Sequence, residues 1–180
     1  MSPSVLLDRL AEFERRVCQV YETLGERLDF SAAVRDFWMC MAQEEQCHAA
    51  ILEEPPSALK ETEAPPQVSE NAIAILEAKV EAAEAAVRRA DLSSDEAFRV
   101  TLMLEDAELN AMDEVWFQGL RPVLGSLLET LLPEAEVHVR RVVETVQTWS
   151  TDQSLQRQAE ALRSTYERQK LAYANTRPQS

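Results

Sequence analysis

The sequence predicts an all-α protein, and three observations support that fold class. Apolar residues recur every three or four positions over most of the chain, which is the period of a helix with one buried face. Only three of the 180 residues are glycine, too few for the many tight turns of a sandwich or barrel. No segment has the residue pattern of a strand. At this length, the helices are expected to bury one core of ordinary domain size.

Six helical segments are predicted, separated by short breaks except after the second. Ser31 and Ser94 offer the side-chain oxygen that favours an N-cap at the second and fourth helices. Pro133 removes a backbone donor inside the fifth segment and is expected to interrupt or kink it. The predicted bounds are about Val5–Leu28, Ala32–Leu52, Glu70–Ala90, Asp95–Gln118, Val123–Trp149 and Thr151–Tyr173.

The connections between these segments indicate a bundle. The first connection is short, about three residues, which makes the first two helices antiparallel neighbours. Four prolines lie between Glu54 and Ser69, so that stretch is expected to be a linker. Together with the helix that follows, it forms a long crossover. We therefore expect a four-helix bundle over residues 1–150, with a crossover helix at about 70–90, and a C-terminal amphipathic helix and tail over 151–180.

Charge and composition exclude several classes of function. The 32 acidic and 18 basic side chains give a formal charge of −14, which argues against a nucleic-acid partner or an anionic membrane surface. The chain contains no GxGxxG or GxxxxGK phosphate-binding loop. No apolar run approaches the ~20 residues of a membrane span. Acidic residues interrupt the N-terminal segment, so we expect no secretory signal there.

The cysteines favour a reducing compartment. Cys18, Cys40 and Cys47 are odd in number and form no CxxC pair, so neither a disulfide framework nor a zinc-ribbon or rubredoxin module is expected. We therefore expect a cytoplasmic protein in which these three residues are small buried side chains.

Carboxylates interrupt the apolar faces of the first two helices. Glu14 lies in the middle of the core-facing stripe of the first helix, with Tyr21 two turns along on the same face. In the second helix, Glu45 and His48 are three residues apart and therefore share the inward face. The two stripes consist of Leu7, Leu10, Glu14, Val17, Tyr21, Leu24 and Leu28, and of Val34, Trp38, Met41, Glu45, His48 and Leu52.

The fourth and fifth helices repeat this pattern. Glu105 interrupts the apolar stripe of the fourth helix, and Glu108 follows one turn later. His138 lies on the stripe of the fifth helix, with Glu134 one turn before it. The stripes consist of Phe98, Thr101, Glu105, Leu109, Met112 and Trp116, and of Leu127, Leu131, His138, Val142 and Val146.

Ionised carboxylates in a core require a compensating charge, because burial and mutual repulsion are both costly. The three lysines lie off these stripes, and the arginines near them fall mostly on outward positions. A pair of divalent metal ions would compensate, and glutamate with imidazole suits iron or manganese. Both histidines of the chain occupy core stripes. This favours metal ligands over the alternative of hydrogen-bonded core histidines beside a solvated glutamate face.

These residues give the chain a resemblance to the ferritin-like superfamily, and within it to rubrerythrin-type di-iron domains. The matching segments are FERRVCQVYETL, AQEEQCHAAIL, LMLEDAELNAM and PEAEVHVRRV, within about residues 4–148. The resemblance implies a ferritin-like four-helix bundle that holds two iron ions, or manganese, between its helices. The ligands it implies are Glu14, Glu45, His48, Glu105 and His138, with Glu108 and Glu134 as candidates to complete or bridge the site.

Two features depart from the family pattern. Ala135 stands three residues before His138, where the family has the glutamate of a second Glu-x-x-His. Glu134 is four residues before His138, and a kink at Pro133 would rotate it into the vacant position, whereas Glu136 is expected to point away. Without a replacement ligand, the site would hold one ion or bind the second weakly. The chain also lacks the rubredoxin module of a complete rubrerythrin.

The resemblance implies an oxidoreductase that acts on peroxide or O₂ with an external electron donor, or that oxidises Fe(II). Tyr21 would be a hydrogen-bond donor behind the ligands, or simply a core tyrosine. The alternative is a helical interaction or structural protein with a degenerate site, for which Ala135, Pro133 and the C-terminal helix argue. Pairing into a homodimer through apolar helix faces is compatible with both hypotheses, whereas an iron-storage shell is disfavoured.

Overall fold

The computed structural model describes residues 3–53, 70–112 and 121–175, with side chains at all of these except 3, 112–134, 173 and 175. The described residues form six helices and no strand, which confirms the all-α class. None of these helices is both long enough and apolar enough to cross a membrane. The helices are α1 (Pro3–Gly25), α2 (Ala32–Glu53), α3 (Glu70–Val87), α4 (Ser94–Met112), α5 (Arg121–Trp149) and α6 (Gln153–Asn175).

The end of α1 corrects the predicted stripe of the first helix. The helix ends at Gly25, and Leu28 lies in the turn before α2 with 85% of its surface exposed. Gly25 packs closely against Met39 of α2, since a Cβ at this position would lie 2.5 Å from Sδ of Met39. The chain therefore turns away at Gly25, although the 3-4 spacing of apolar residues continues to Leu28.

The helix caps confirm one predicted residue and correct the other. The Val34 amide donates to Oγ of Ser31 at 3.4 Å, as expected of an N-cap. At α4 the cap is Ser93, because the Glu96 amide donates to Oγ of Ser93 at 3.2 Å. The Glu96 carboxylate in turn accepts from the Ser93 amide at 2.9 Å. This reciprocal capping box starts the helix at Ser94, so Ser94 is not its cap.

Helix α5 runs without a break through Pro133, so the predicted interruption is wrong. Proline fixes φ near −65°, which is a helical value, so the residue removes one hydrogen bond without ending the helix. The predicted linker at 54–69, the end of the fourth segment beyond Met112, and the side chains of Met112, Trp116, Leu127 and Leu131 lie outside the described residues.

The packing of the helices places the polar stripes in the interior. Helices α1 and α2 form a hairpin, and α3 packs against α1 and α4. Helix α5 packs against α2 and α4, and α6 covers α4 and α5 through its buried Leu155, Leu162 and Tyr166. Trp38 is fully buried and donates from Nε1 to Oγ1 of Thr101 at 3.1 Å, which ties α2 to α4.

The cysteines are less buried than expected. Cys18 and Cys40 are half-buried, and Cys47 is exposed, so the expectation of three buried side chains is wrong for Cys47. Cys47 immediately precedes the inward His48, and the helical rotation of about 100° per residue turns it outward.

Candidate metal centre

The polar residues that interrupt the apolar stripes are buried together between α1, α2, α4 and α5. Their side chains face one another in the interior, as the helical spacing predicts. Glu108, one turn after Glu105 on α4, is only half-buried. The buried members of this cluster are Glu14, Glu45, His48, Glu105 and His138.

Three buried residues form a first group, which we call the His138 triad: Glu45, Glu105 and His138. One nitrogen or oxygen atom from each lies within 4.8 Å of the others. Nε2 of His138 is 2.8 Å from Oε2 of Glu105 and 3.4 Å from Oε1 of Glu45. Two carboxylates and an imidazole thus converge from α2, α4 and α5.

Glu14, His48 and Glu108 form a second group, the His48 triad, with ligand atoms again within 4.8 Å of one another. Nδ1 of His48 lies 3.0 Å from Oε2 of Glu45, which belongs to the other triad. The rings of His48 and His138 are 5.7 Å apart between centroids. The two triads are therefore adjacent, and Glu45 lies between them.

Tyr21 supports the His138 triad from α1. Its side chain is completely buried, and its hydroxyl donates to Oε1 of Glu105 at 2.6 Å. Burial raises the pKa of Tyr21 well above its ordinary value, and the charge of Glu105 adds to the rise. The phenol therefore stays protonated and can only donate to this carboxylate.

Glu44 and Arg141 are part of the site, although the stripe pattern did not indicate them. Oε2 of Glu44 is 3.0 Å from Nδ1 of His138, and its other oxygen accepts from the Arg141 guanidinium. Burial raises the pKa of Glu44, but the hydrogen bonds from His138 and Arg141 outweigh it and hold that pKa below its usual value. Glu44 precedes Glu45 and lies at the edge of the inward face, which is why helical spacing alone passes over it.

The electrostatics of the cluster disfavour the charged forms of three of its carboxylates. Burial raises the pKa of Glu14 and Glu45 well above the ordinary value, and neighbouring carboxylates add to the rise. Burial likewise raises the pKa of Glu108, with Glu105 adding to it. Burial alone would lower the pKa of His138, but the charges of Glu105 and Glu45 raise it well above its ordinary value. A cation bound among these groups would offset the cost of ionising their carboxylates.

Two buried oxygen atoms support the same conclusion. Among the described residues, Oε2 of Glu14 and Oε1 of Glu45 are inaccessible to solvent and have no hydrogen-bond partner. A buried polar atom without a partner costs about 1–3 kcal/mol, and more for a charged group. The ion pairs of Glu45 and Glu105 within the described residues are with histidines rather than with lysine or arginine. The residues present therefore fit a divalent cation at each triad.

The α5 position where the resemblance implies a second glutamate receives no described carboxylate. Ala135 is half-buried against the core. Glu136 is exposed and pairs with Lys170, so it points away as predicted. The side chain of Glu134 lies outside the described residues, so its proposed role as a replacement ligand stays a prediction.

Comparisons of the chain with protein-family models, with curated proteins and with solved structures found no match. What the site does is therefore inferred from its own residues.

Proposed function

We propose that this protein is a di-metal carboxylate oxidoreductase of the rubrerythrin type, built on a ferritin-like bundle. The observation that carries the proposal is the pair of adjacent triads, one buried and one largely buried, each with two carboxylates and one imidazole. On this proposal Glu45, Glu105 and His138 hold one ion, and Glu14, His48 and Glu108 hold the other. Glutamate and imidazole suit iron, with manganese as the second choice.

The order and packing of the helices support the ferritin-like assignment. Helices α1 and α2 form an antiparallel hairpin, and a long connection containing α3 leads to α4 and α5. The ligand candidates come from α1, α2, α4 and α5, which is how di-iron carboxylate bundles build a site between facing helices.

Iron at such a site supplies electron exchange between its ferrous and ferric levels, which suits reduction of peroxide or O₂ by an external donor, or oxidation of Fe(II). The protein's own residues supply charge, exclude water and hold the ligand candidates in place for this chemistry. The carboxylates supply the negative charge that a more highly charged ion requires. The surrounding core excludes bulk water from the His138 triad, and Tyr21 holds Glu105 by a 2.6 Å hydrogen bond.

The decisive experiment is an anaerobic titration of the metal-free protein with Fe(II), followed by elemental analysis. Two bound equivalents are expected, and peroxide should then oxidise the bound Fe(II) faster than it oxidises Fe(II) free in buffer. A Glu53→Gln variant, altered on the exposed end of α2, is the matched control and should behave like the wild type. Failure to bind Fe(II) or Mn(II) would contradict the proposal.

Ala135 favours a second candidate, a helical interaction or structural protein whose site is degenerate. Among the described side chains of α5, only His138 is a ligand candidate, so within this part of the chain one ion position has fewer donors than the family pattern provides. This candidate predicts that the protein binds one equivalent of Fe(II) or none in the titration. It also predicts that a His48→Ala variant folds and melts like the wild type, whether metal is added or chelated.

A further inference from the structure

The two nitrogens of His138 face different carboxylates. Nε2 faces the interior of the His138 triad, 2.8 Å from Glu105 and 3.4 Å from Glu45. Nδ1 faces away from the triad and lies 3.0 Å from Oε2 of Glu44. The ring is almost fully buried, so neither nitrogen has bulk water as an alternative partner.

The surroundings of Glu44 suit a hydrogen-bond acceptor for His138 rather than a metal ligand. It lies on α2 directly before Glu45, and 27% of its side chain is exposed. Its second oxygen accepts from Arg141, which follows His138 on α5 by three residues and so lies on the same side of that helix. A carboxylate paired with a guanidinium has no proton to donate, so the partner nitrogen of His138 must carry the hydrogen.

We propose that Glu44, held by Arg141, is a positioning residue that keeps the hydrogen of His138 on Nδ1 and so presents Nε2 to a divalent metal ion. This proposal rests on the proposed function, because it requires a metal at the His138 triad. A histidine ligand is commonly oriented in this way by a carboxylate on its other ring nitrogen, and loss of that partner typically lowers metal affinity 10- to 100-fold.

His48 lacks an equivalent arrangement. Its hydrogen bond within the described residues is to Glu45, itself a proposed ligand and part of the cluster that a metal would reorganise. No carboxylate outside the two triads is described as orienting this ring. The positioning effect should therefore be specific to His138.

The test measures Zn(II) and Mn(II) affinity by calorimetry for the wild type and for Glu44→Ala, with Glu44→Gln as a variant of nearly unchanged size. Both variants are expected to bind the first equivalent 10- to 100-fold more weakly. In Glu44→Gln, the Arg141 guanidinium and the His138 N–H compete for the one remaining oxygen. The control is Glu53→Ala, which removes another α2 carboxylate that pairs with an arginine, and it should stay within about twofold of the wild type.

A spectroscopic measurement separates positioning from a general structural effect. Because the chain has only two histidines, ¹⁵N NMR of the Zn(II)-loaded protein resolves each ring, and a His48→Gln variant assigns them. His138 is expected to have Zn(II) on Nε2 and a slowly exchanging hydrogen on Nδ1. That hydrogen should exchange faster in Glu44→Ala.

The failures of the two proposals are distinguishable. A wild type that binds Zn(II) with His138 coordinated through Nδ1, or with the same affinity as Glu44→Ala, overturns the role of Glu44 and leaves the proposed function standing. A wild type that binds no divalent ion overturns both proposals.

Discussion

The His138 triad and the His48 triad contain the same types of donor but differ in how those donors are held. In the first, residues outside the triad fix two of its members: Tyr21 donates to Glu105, and Glu44 contacts His138. In the second, the hydrogen-bond contact of His48 is to Glu45, itself a member of the first triad, and Glu108 is half-buried. The difference indicates a preorganised position beside a more adaptable one, so the His138 triad should bind metal first and more tightly.

The largest expected effect comes from metal binding itself. Raising free Mn(II) to about 1,000 times the dissociation constant should increase the free energy of unfolding by about 4 kcal/mol per site. For a chain of this size, each kcal/mol shifts the melting temperature by roughly 2–4 °C. Calorimetric melts at increasing Mn(II) should show two stages of stabilisation, the tighter one from the His138 triad, and a chelator should reverse both.

Mg(II) is the control for this experiment, because it prefers oxygen ligands and keeps several waters, and so gains little from imidazole. Equal stabilisation by Mg(II) and Mn(II) would indicate ordinary screening of the acidic surface and would contradict a site at either triad.

Removing one histidine at a time tests directly whether the two triads bind metal independently. His138→Ala should weaken the tighter equivalent by at least about 100-fold, beyond the usual effect of losing only an orienting partner. His48→Ala should leave that equivalent within a few fold and remove the weaker one. Anaerobic titration with Fe(II) measures both affinities. If the two variants lose the same equivalent, the triads are not independent positions.

The positions of the ligand candidates could be predicted because each breaks a 3-4 apolar spacing. Glu14, Glu45, Glu105 and His138 lie where leucine or valine would continue the stripe, and all four are buried. His48 was predicted in the same way, from its spacing to Glu45. Because burying an ionisable group is costly, such a group on an apolar stripe indicates a functional site.

Other features depend on contacts between side chains, which the spacing of apolar residues in the sequence does not predict. The role of Glu44 follows from its distance to His138 on another helix, and its own position at the edge of the inward face does not indicate it. Leu28 continues the stripe of α1 in sequence, but the helix ends at Gly25 against Met39. Ser93 and Ser94 carry the same hydroxyl, and only the reciprocal hydrogen bonds with Glu96 identify Ser93 as the cap.

The metal-free protein should be more stable near pH 5.5 than at pH 8. The raised pKa values of Glu14, Glu45 and Glu108 give stability that is present below their ordinary pKa, near 4.5, and is lost as pH rises toward the folded-state values. His138 has the same sign, since its raised pKa gives stability below 6.5 that is lost at higher pH. Each unit by which a folded-state pKa is raised corresponds to about 1.4 kcal/mol.

Melts of the chelator-treated protein from pH 5 to pH 9 test this expectation. Glu45→Gln removes one of these groups and should flatten the decline. With saturating Mn(II) the stability should instead rise with pH, because metal ligands must be deprotonated. A metal-free protein that becomes more stable between pH 5.5 and pH 8 would contradict the charge balance inferred for the two triads.

The smallest expected effect is a change of about 1 kcal/mol in the free energy of Mn(II) binding. It tests whether the contacts around the His138 triad account for its tighter binding relative to the His48 triad. Tyr21→Phe keeps the ring that fills the core and removes the 2.6 Å hydrogen bond to Glu105. One hydrogen bond typically contributes about 0.5–1.5 kcal/mol, so the first Mn(II) equivalent should weaken by roughly 2- to 12-fold and the second should not change. Tyr166→Phe on α6, another buried tyrosine, is the matched control and should alter neither affinity. If Tyr21→Phe weakens the second equivalent instead, the phenol supports the adaptable position, and the tighter binding of the His138 triad must then depend on Glu44 alone.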